Sequence, residues 1–189
     1  MLINNIPCVI LSGGKSSRMG EDKSLLPFKD SSTLIEYQYK KLSKIFKDTY
    51  ISSKMDKFNF DANIIYDNDK NVSSPMIALY SILEHLNFEK VFIITVDTPF
   101  VKKDTIFELI DNSSIHDIVI AKDTNKTHNL CGVFSKSINS TIKNMLSDDN
   151  HKINTLIKKS NHKIILFENS KQFLNINTQD DYKYAISSI

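Results

Sequence analysis

A glycine-rich stretch with several cations follows the apolar run PCVI near the start of the chain. It begins at Leu11 with the letters LSGGKSSRMGEDKSLLPF, and its cationic side chains are Lys15, Arg18 and Lys23. Gly13 and Gly14 lack a Cβ atom, so their backbone N–H groups can approach a phosphate closely. Arg18 offers a planar fork of donors, and Lys23 supplies a compact positive charge. The stretch predicts a polyphosphate-binding loop, in which Lys15 is either a phosphate ligand or a solvated loop cation.

Three familiar nucleotide motifs do not fit this stretch. A P-loop requires a glycine separated by four residues from Gly-Lys-Ser, and Val9 stands at that position. A dinucleotide fingerprint requires G-x-G-x-x-G, a spacing that Gly13, Gly14 and Gly20 do not have. The signature loop of ABC-type ATPases lies far downstream of its P-loop, whereas LSGG follows only a short N-terminal segment here. The stretch therefore belongs to a different class of phosphate loop.

Polar residues that could complete such a site stand at the ends of apolar runs. Asp97 follows VFIITV and precedes Thr-Pro, and a carboxylate beside a polyphosphate is a natural ligand for Mg²⁺. Asp67 closes the run IIY in a similar position, where it is either a site residue or a plain turn residue. Asn175 and Asn177 alternate in FLNIN, so we expect both on one face of a strand, where their amides could hydrogen-bond a phosphate or another polar ligand.

The elements that must position these residues alternate between apolar strands and amphipathic helices. The predicted strands are 6–11, 49–52, 63–66, 91–96, 117–121, 130–135, 163–167 and 173–176. The predicted helices are 31–46, 74–87, 102–110, 136–146, 151–158 and a last one that Thr178 caps. The pattern predicts an α/β fold: a Rossmann-like, three-layer, open and mostly parallel sheet with helices on both faces. No linker divides the chain, so we expect one domain over 1–189.

The carboxyl ends of parallel strands meet at one edge of a sheet, where ligands bind. We therefore expect four segments to share that edge: 11–23, 52–53, 67–75 and 97–99.

Composition excludes several other classes of protein. Lys plus Arg number 24 and Asp plus Glu 22, a net charge of +2 with both signs interspersed. A dedicated nucleic-acid binder usually carries a clustered basic patch, so no nucleic-acid partner is expected. No apolar run approaches about 18 residues, and the N-terminus lacks the pattern of a signal peptide, so we expect a cytoplasmic protein without a membrane partner. Cys8 and Cys131 both lie in apolar runs and are expected to be small buried thiols.

Four motifs in the same order give the chain a family resemblance. The N-terminal stretch resembles the L-x-G-G-x-S-x-R-M-G-x-D-K-x-L-L motif of nucleotidyltransferases, most closely the molybdenum cofactor guanylyltransferase (MobA-type) family. IITVDTPF at 93–100 resembles that family's strand ending in D-x-P, and HNLCGVF at 128–134 resembles its H-P-L-x-G-L-Y segment. FLNINTQDDY at 173–182 resembles its N-x-N-T-P-E-D-L segment. The motifs span nearly the whole chain, and the resemblance implies a nucleotide-diphospho-sugar transferase-like fold.

The resemblance implies transfer of GMP from GTP to molybdenum–molybdopterin, which forms the molybdopterin guanine dinucleotide cofactor and releases pyrophosphate. Mg²⁺ is the implied cofactor, with Asp97 as its ligand, and Arg18, Lys23 and Asp97 are the implied catalytic residues. The implied binding residues are Leu11, Ser12, Gly13, Gly14, Lys23, Ser52, Asp67, Asp97, Asn175 and Asn177. The acceptor phosphate would attack the α-phosphorus of GTP directly, without a covalent enzyme intermediate. Transient contacts with molybdopterin-synthesis proteins or acceptor molybdoenzymes are expected as well.

The chain departs from the family pattern at two places on the acceptor side. SPMIA at 74–78 stands where the family has a G-P-L-A-G-like segment, and its bulkier side chains are expected to narrow the groove there. His128 is followed by Asn129 instead of proline, and it is either a binding residue or an ordinary loop histidine.

Two alternative functions stay open at the level of sequence. One is a cytidylyltransferase acting on molybdopterin or another phosphorylated acceptor; the paired glycines and the sequence EDK favour the guanylyl interpretation. The other is a non-catalytic nucleotide-binding protein on the same fold. Arg18, Lys23 and Asp97 argue against it, because a sensor does not need a leaving-group clamp together with a metal ligand.

Overall fold

The structure is a computed structural model that describes residues 2–13, 21–67, 72 and 74–187. Within these residues the strands are β1 Cys8–Leu11, β2 Thr49–Ser53, β3 Asn63–Tyr66, β4 Lys90–Thr95, β5 Ile118–Lys122, β6 Thr127–Ser135 and β7 His162–Leu166. The α-helices are α1 Leu34–Leu42, α2 Pro75–His85, α3 Lys103–Asp111, α4 Asn139–Ser147, α5 Ile153–Lys159 and α6 Gln179–Ser187. Three short 3₁₀ turns span Lys23–Leu25, Lys136–Ile138 and Ser170–Phe173.

The strands form one open sheet of seven strands in the order β3-β2-β1-β4-β6-β5-β7. Strand β6 runs antiparallel to both neighbours, and the other adjacent pairs are parallel. The carboxyl ends of β1 to β4 therefore share an edge with the amino end of β6. The predicted open, mostly parallel sheet is confirmed.

Helices cover both faces of the sheet. Helices α1, α3 and α6 pack on one face over a core that includes Phe92 and Ile94, and α2, α4 and α5 pack on the other over Val91 and Ile93. Successive side chains of β4 thus pack into opposite cores, because side chains alternate between the two faces of a strand. A strand buried on both faces reads as a continuous apolar run, which explains VFIITV.

Local sequence signals set several helix boundaries. The Ser74 hydroxyl accepts a hydrogen bond from Met76 N at the start of α2, with Pro75 in the first turn. At the start of α6, Asp181 N donates to the Thr178 hydroxyl and Thr178 N donates to the Asp181 carboxylate, as the capping pattern predicts. Both cysteines are buried, as expected, and burial raises the pKa of each thiol. No α-helix within the described ranges is long and apolar enough to span a bilayer.

The predicted strand 173–176 is wrong. The chain there forms a 3₁₀ turn, Ser170–Phe173, and then an irregular segment that pairs with none of the strands in the described residues. Its hydrogen bonds go elsewhere: Ile176 N donates to the carbonyl of Asp97, and the buried Gln172 side chain accepts from Lys102 N and from the Thr105 hydroxyl. The segment is thus tied to the loop after β4 and to the start of α3, so its backbone is not available to the sheet.

Two predicted helices are shorter than expected. The one expected over 31–46 forms only as Leu34–Leu42, because Phe28 and Ser31 exchange backbone hydrogen bonds before it and a turn ends it at Ser43. The one expected over 136–146 begins with a 3₁₀ turn, and α4 follows at Asn139.

Candidate nucleotidyl-transfer site

Lys23 lies at the centre of a cluster drawn from three distant parts of the chain. Its Nζ donates to Oδ2 of Asp97 at 2.8 Å and to Oδ1 of Asn177 at 2.9 Å. The side chains of Lys23 and Asp97 are 18% and 15% exposed, so both reach solvent at the edge of the sheet. The structure thus brings together three of the residues singled out in the sequence.

A short 3₁₀ turn presents Lys23 to this cluster. Asp22 caps the turn by accepting hydrogen bonds from the backbone N and the hydroxyl of Ser24, at 3.1 and 2.7 Å. Lys57, from the loop after β2, forms an ion pair with the other oxygen of Asp22. Burial opposes ionisation of Asp22, but Lys57 and Ser24 together lower its pKa. The turn that carries Lys23 is therefore fastened to the neighbouring loop.

Asp97 lies two residues after the end of β4, at the edge of the sheet. Its Oδ1 accepts a hydrogen bond from the Thr95 hydroxyl, while Oδ2 takes the contact with Lys23. Its own carbonyl accepts from Ile176 N at 2.9 Å, which brings the segment carrying Asn177 alongside. Both carboxylate oxygens are therefore oriented by neighbours.

The carboxylate fits one kind of metal site. Within the part of the chain that the structure describes, no three acidic, histidine or cysteine side chains form a metal-binding group. Mg²⁺ keeps several waters and is usually held by one or two carboxylates together with substrate phosphates. One accessible carboxylate beside a phosphate loop suits such an ion and does not suit one that needs a complete protein cage.

Asp67 and Ser52 form a second polar pair at the ends of β3 and β2. The Ser52 hydroxyl donates to Oδ1 of Asp67 at 3.0 Å, and both residues are buried. Burial raises the pKa of Asp67, although the Ser52 hydrogen bond and the charge of Lys54 oppose the shift. Ser12 N donates to the carbonyl of Ser52 at 2.9 Å, so the end of β1 adjoins this pair.

Gly13 follows the β1 end, and a Cβ atom there would meet no described atom within 4 Å. The buried hydroxyl of Ser12 has no hydrogen-bond partner among the described residues. Leu11 is the buried last residue of β1, so its side chain belongs to the core and only its backbone stands at the edge. Gly14, Lys15 and Arg18 lie outside the described residues.

The two asparagines of FLNIN have different partners. Asn175 Oδ1 accepts from Lys126 Nζ at 3.2 Å, whereas Asn177 accepts from Lys23. The expectation that both project from one face of a strand is wrong, because no strand forms there. Each asparagine still lies beside a cationic side chain at the site.

An open cleft of about 270 Å³ adjoins Asp97. Residues lining it include Thr95, Asp97, Lys126, His128, Asn129 and Asn175. Lys126 was missed in the sequence: it lies in the hairpin turn between β5 and β6, where Asp123 accepts hydrogen bonds from two backbone N–H groups, and only the turn pattern D-x-x-K marks it. The cleft places one cation and several amide and hydroxyl groups next to the carboxylate.

His128 lines this cleft and lies in β6 rather than in a loop. Its ring stacks on Phe173 with centroids 4.3 Å apart. Its Nε2 lies 3.2 Å from Oδ2 of Asp123, close but poorly aligned for a hydrogen bond. Burial lowers the pKa of the imidazole, and Asp123 only partly opposes that shift. The contacts of His128 are therefore mainly packing contacts with neighbouring side chains of the protein.

Comparison with known proteins gives a consistent family. A model described as a MobA-like NTP transferase domain matches residues 8–164. A molybdenum cofactor guanylyltransferase of Campylobacter jejuni subsp. doylei is 42% identical, covering 97% of this chain and 96% of its own length. One of Helicobacter pylori is 35% identical, covering 98% and 90%. The crystal structure of molybdopterin-guanine dinucleotide biosynthesis protein A from Archaeoglobus fulgidus shares the fold, with a TM-score of 0.82, 22% identity and coverage of 97% and 98%.

Proposed function

The chain belongs to the MobA-like NTP transferase family, and we propose that it transfers GMP from GTP to molybdenum–molybdopterin with release of pyrophosphate. Relatives that are 35% and 42% identical over nearly the whole chain bear the name molybdenum cofactor guanylyltransferase. The observation that carries the proposal is the contact of Lys23 with Asp97 and Asn177, which joins three family motifs at one edge of the sheet.

The triphosphate lies, in this proposal, over the start of the phosphate loop. Backbone N–H groups at Gly13 and Gly14 and the cations Arg18 and Lys23 bind its oxygens. Lys23 has the reach for this role, because its ammonium ends a flexible stem and already contacts oxygen acceptors at the edge. Positive charge at this place stabilises the leaving pyrophosphate more than the bound GTP, which lowers the barrier.

Asp97 is the proposed ligand of Mg²⁺. When bound, the ion neutralises phosphate charge and polarises the reacting phosphoryl group. The role of the protein is to hold the carboxylate at a fixed place, which Thr95 does at one oxygen. Ser12, Ser52 and Asp67, on the β1–β3 side of Asp97, are proposed to contact the nucleoside part of GTP, with Leu11 supplying only its backbone.

The acceptor is proposed to enter from the cleft. Lys126 and Asn175 line it and offer one cation and one amide to a phosphate or a pterin. Asn177, which accepts a hydrogen bond from Lys23, is proposed to supply a second amide. An oxygen of the acceptor phosphate attacks the α-phosphorus, and a new P–O bond forms. The bond to the β-phosphate oxygen breaks, and its electron pair leaves with pyrophosphate. No side chain has to form a covalent intermediate, so positioning and charge are the contribution of the protein.

We further propose one domain over 1–189, acting in the cytoplasm, with transient contacts to the proteins that supply or receive the pterin. A single sheet with a core on each face supports the first of these proposals.

The proposal is tested by pyrophosphate release from GTP in the presence of Mg²⁺ and molybdenum-loaded molybdopterin. We expect release only when the acceptor is present, and a loss of about 100-fold or more in Asp97→Asn, the scale of one removed electrostatic contact. The thermal stability of that variant should stay close to wild type. Stabilisation by GTP without any release of pyrophosphate would instead support a non-catalytic nucleotide-binding protein.

A further inference from the structure

Two side chains of α1 hold the end of β4 and the loop after it. Gln38 Nε2 donates to the carbonyls of Thr95 and Val96, both at 3.0 Å. Lys41 Nζ, one helical turn further on, donates to the carbonyls of Pro99 and Val101 at 2.8 and 2.6 Å. The four carbonyls flank Asp97 on both sides, so the two residues, here called the α1 clamp, fix the backbone that carries the carboxylate.

The same helix also holds the segment that follows Lys23. At the start of α1, Leu34 N donates to the carbonyl of Leu26 at 2.7 Å. The ring of Phe28 lies 5.1 Å from that of Tyr37 on α1 and 6.0 Å from that of Phe100 in the loop after Asp97. Helix α1 is therefore a common support for both partners of the Lys23–Asp97 pair.

The clamp uses chemistry that packing alone does not require. Gln38 is 1% exposed, and an apolar side chain of the same length would fill its place without the cost of burying an amide. Burial, helped by the charge of Lys29, lowers the pKa of Lys41 to about 8, which shows that its ammonium is held in surroundings that disfavour charge. A largely buried ammonium needs polar partners, and the carbonyls of Pro99 and Val101 are the partners of Lys41. The hydrogen bonds to the carbonyls around Asp97 therefore explain why Gln38 and Lys41 carry donor groups at these positions.

We propose that Gln38 and Lys41 are positioning residues for the metal, acting through the backbone around Asp97. This inference rests on the proposed role of Asp97 as the Mg²⁺ ligand. Groups behind the first ligands orient them, and their loss typically costs 10- to 100-fold in metal affinity or activity. Neither residue touches substrate or metal in this account.

The test measures how much a metal tightens GTP binding. The dissociation constant of GTP is determined by calorimetry without metal and with saturating Mn²⁺, a spectroscopic and binding substitute for Mg²⁺. The variants are Lys41→Met and Gln38→Met, which keep the side-chain length and remove the donors. Lys40→Met, an exposed neighbour on the same helix that pairs with Glu36, is the matched control. Asp97→Asn gives the value expected when the metal contact is gone.

We expect Mn²⁺ to tighten GTP binding to wild type and to Lys40→Met equally. The tightening should fall about tenfold in each clamp variant, while the affinity for metal-free GTP stays near wild type. The melting temperature of each clamp variant should fall, because two backbone carbonyls lose their donor. Equal tightening in wild type and in a folded clamp variant overturns the inference and leaves the proposed function intact. The absence of any tightening in wild type overturns the metal role of Asp97 and the inference together. The two variants are separate residues, so one that fails to fold leaves the other as the test.

Discussion

The ammonium group of Lys23 contacts oxygen atoms from two segments that lie far apart in the sequence, Asp97 and Asn177. A lysine suits this place because its compact charge on a flexible stem can exchange one oxygen acceptor for another. The same flexibility would allow the residue to stabilise the edge of the sheet and also to bind phosphate oxygens in the proposed role. An arginine would impose a planar geometry on its contacts with these two separate acceptors.

Substitution by alanine is expected to affect GTP binding at Gly13 and folding stability at Gly132. A Cβ on Gly13 would meet no atom of the described residues within 4 Å, so we expect Gly13→Ala to change the free energy of unfolding by no more than about 0.5 kcal/mol. The methyl group would stand where the triphosphate approaches the backbone, and GTP binding should weaken about tenfold, the cost of one hydrogen bond to a charged group. Urea unfolding and calorimetric titration with GTP measure the two quantities.

Gly132→Ala is the matched variant. Its Cβ would lie 2.0 Å from the carbonyl oxygen of Val119 on β5, and backbone cannot yield as a flexible side chain does. We expect a loss of about 3 kcal/mol or more in stability. Unchanged GTP affinity in a stable Gly13→Ala protein would remove Gly13 from the phosphate-binding surface.

Among the elements, α1 has an N-terminus that depends on an ionised side chain. Thr33 accepts from Glu36 N, and the Glu36 carboxylate accepts from the backbone and hydroxyl of Ser32 while pairing with Lys40. The pair with Lys40, and then the Ser32 hydrogen bonds, lower the pKa of Glu36 to about 2. The pKa of Glu36 in the folded protein lies below its value of about 4.3 in the unfolded chain. The ionised carboxylate therefore stabilises the fold in full at pH values above about 4.3. This stabilisation is lost as the pH falls from about 4.5 towards 2.

Glu36→Gln should therefore flatten the acid limb of the stability curve. The free energy of unfolding, measured in urea between about pH 2.5 and pH 6, should fall less steeply with acidification than in wild type. Asp22, Asp123 and Asp181, whose pKa values are also lowered, keep part of the slope in both proteins. Glu108→Gln, at an exposed position of α3, is the control for the loss of one carboxylate. Identical slopes for wild type and Glu36→Gln would contradict this role of the carboxylate.

Most elements were predictable because each has a local pattern. The run VFIITV marks a strand buried on both faces, and Ser74-Pro75 and Thr178 mark the starts of helices. The conformation of the segment around Asn175 could not be predicted from the sequence. Its alternating apolar residues do not reveal that Ile176 hydrogen-bonds to the Asp97 carbonyl or that Gln172 hydrogen-bonds at the start of α3. The end of α1 also depends on tertiary contacts, as Lys47 N donates to the carbonyl of Ile3.

At the scale of the whole molecule, the sheet order gathers residues that local patterns cannot connect. Lys23 and Asp97 were identified by motif, and the neighbouring positions of β1 and β4 in the sheet bring their segments to the same edge. Gln38 and Lys41 were not identified, because their stretch IEYQYKK reads as an ordinary amphipathic helix. Lys126 reaches Asn175 only because β6 runs antiparallel and brings its first residues to the same edge. Residues near the site that belong to no sequence motif were therefore identified from the three-dimensional arrangement of the strands and helices.

The central claim concerns both the base of the nucleotide and the acceptor, and one competition experiment tests both. The protein is incubated with equal concentrations of GTP, CTP, ATP and UTP, Mg²⁺ and molybdenum-loaded molybdopterin, with Asp97→Asn in parallel, and the products are identified by mass. The account predicts the molybdopterin guanine dinucleotide together with an equal amount of pyrophosphate, and neither in the variant. A cytosine dinucleotide as the main product, or no nucleotide–pterin product from a folded protein that binds GTP, would contradict it.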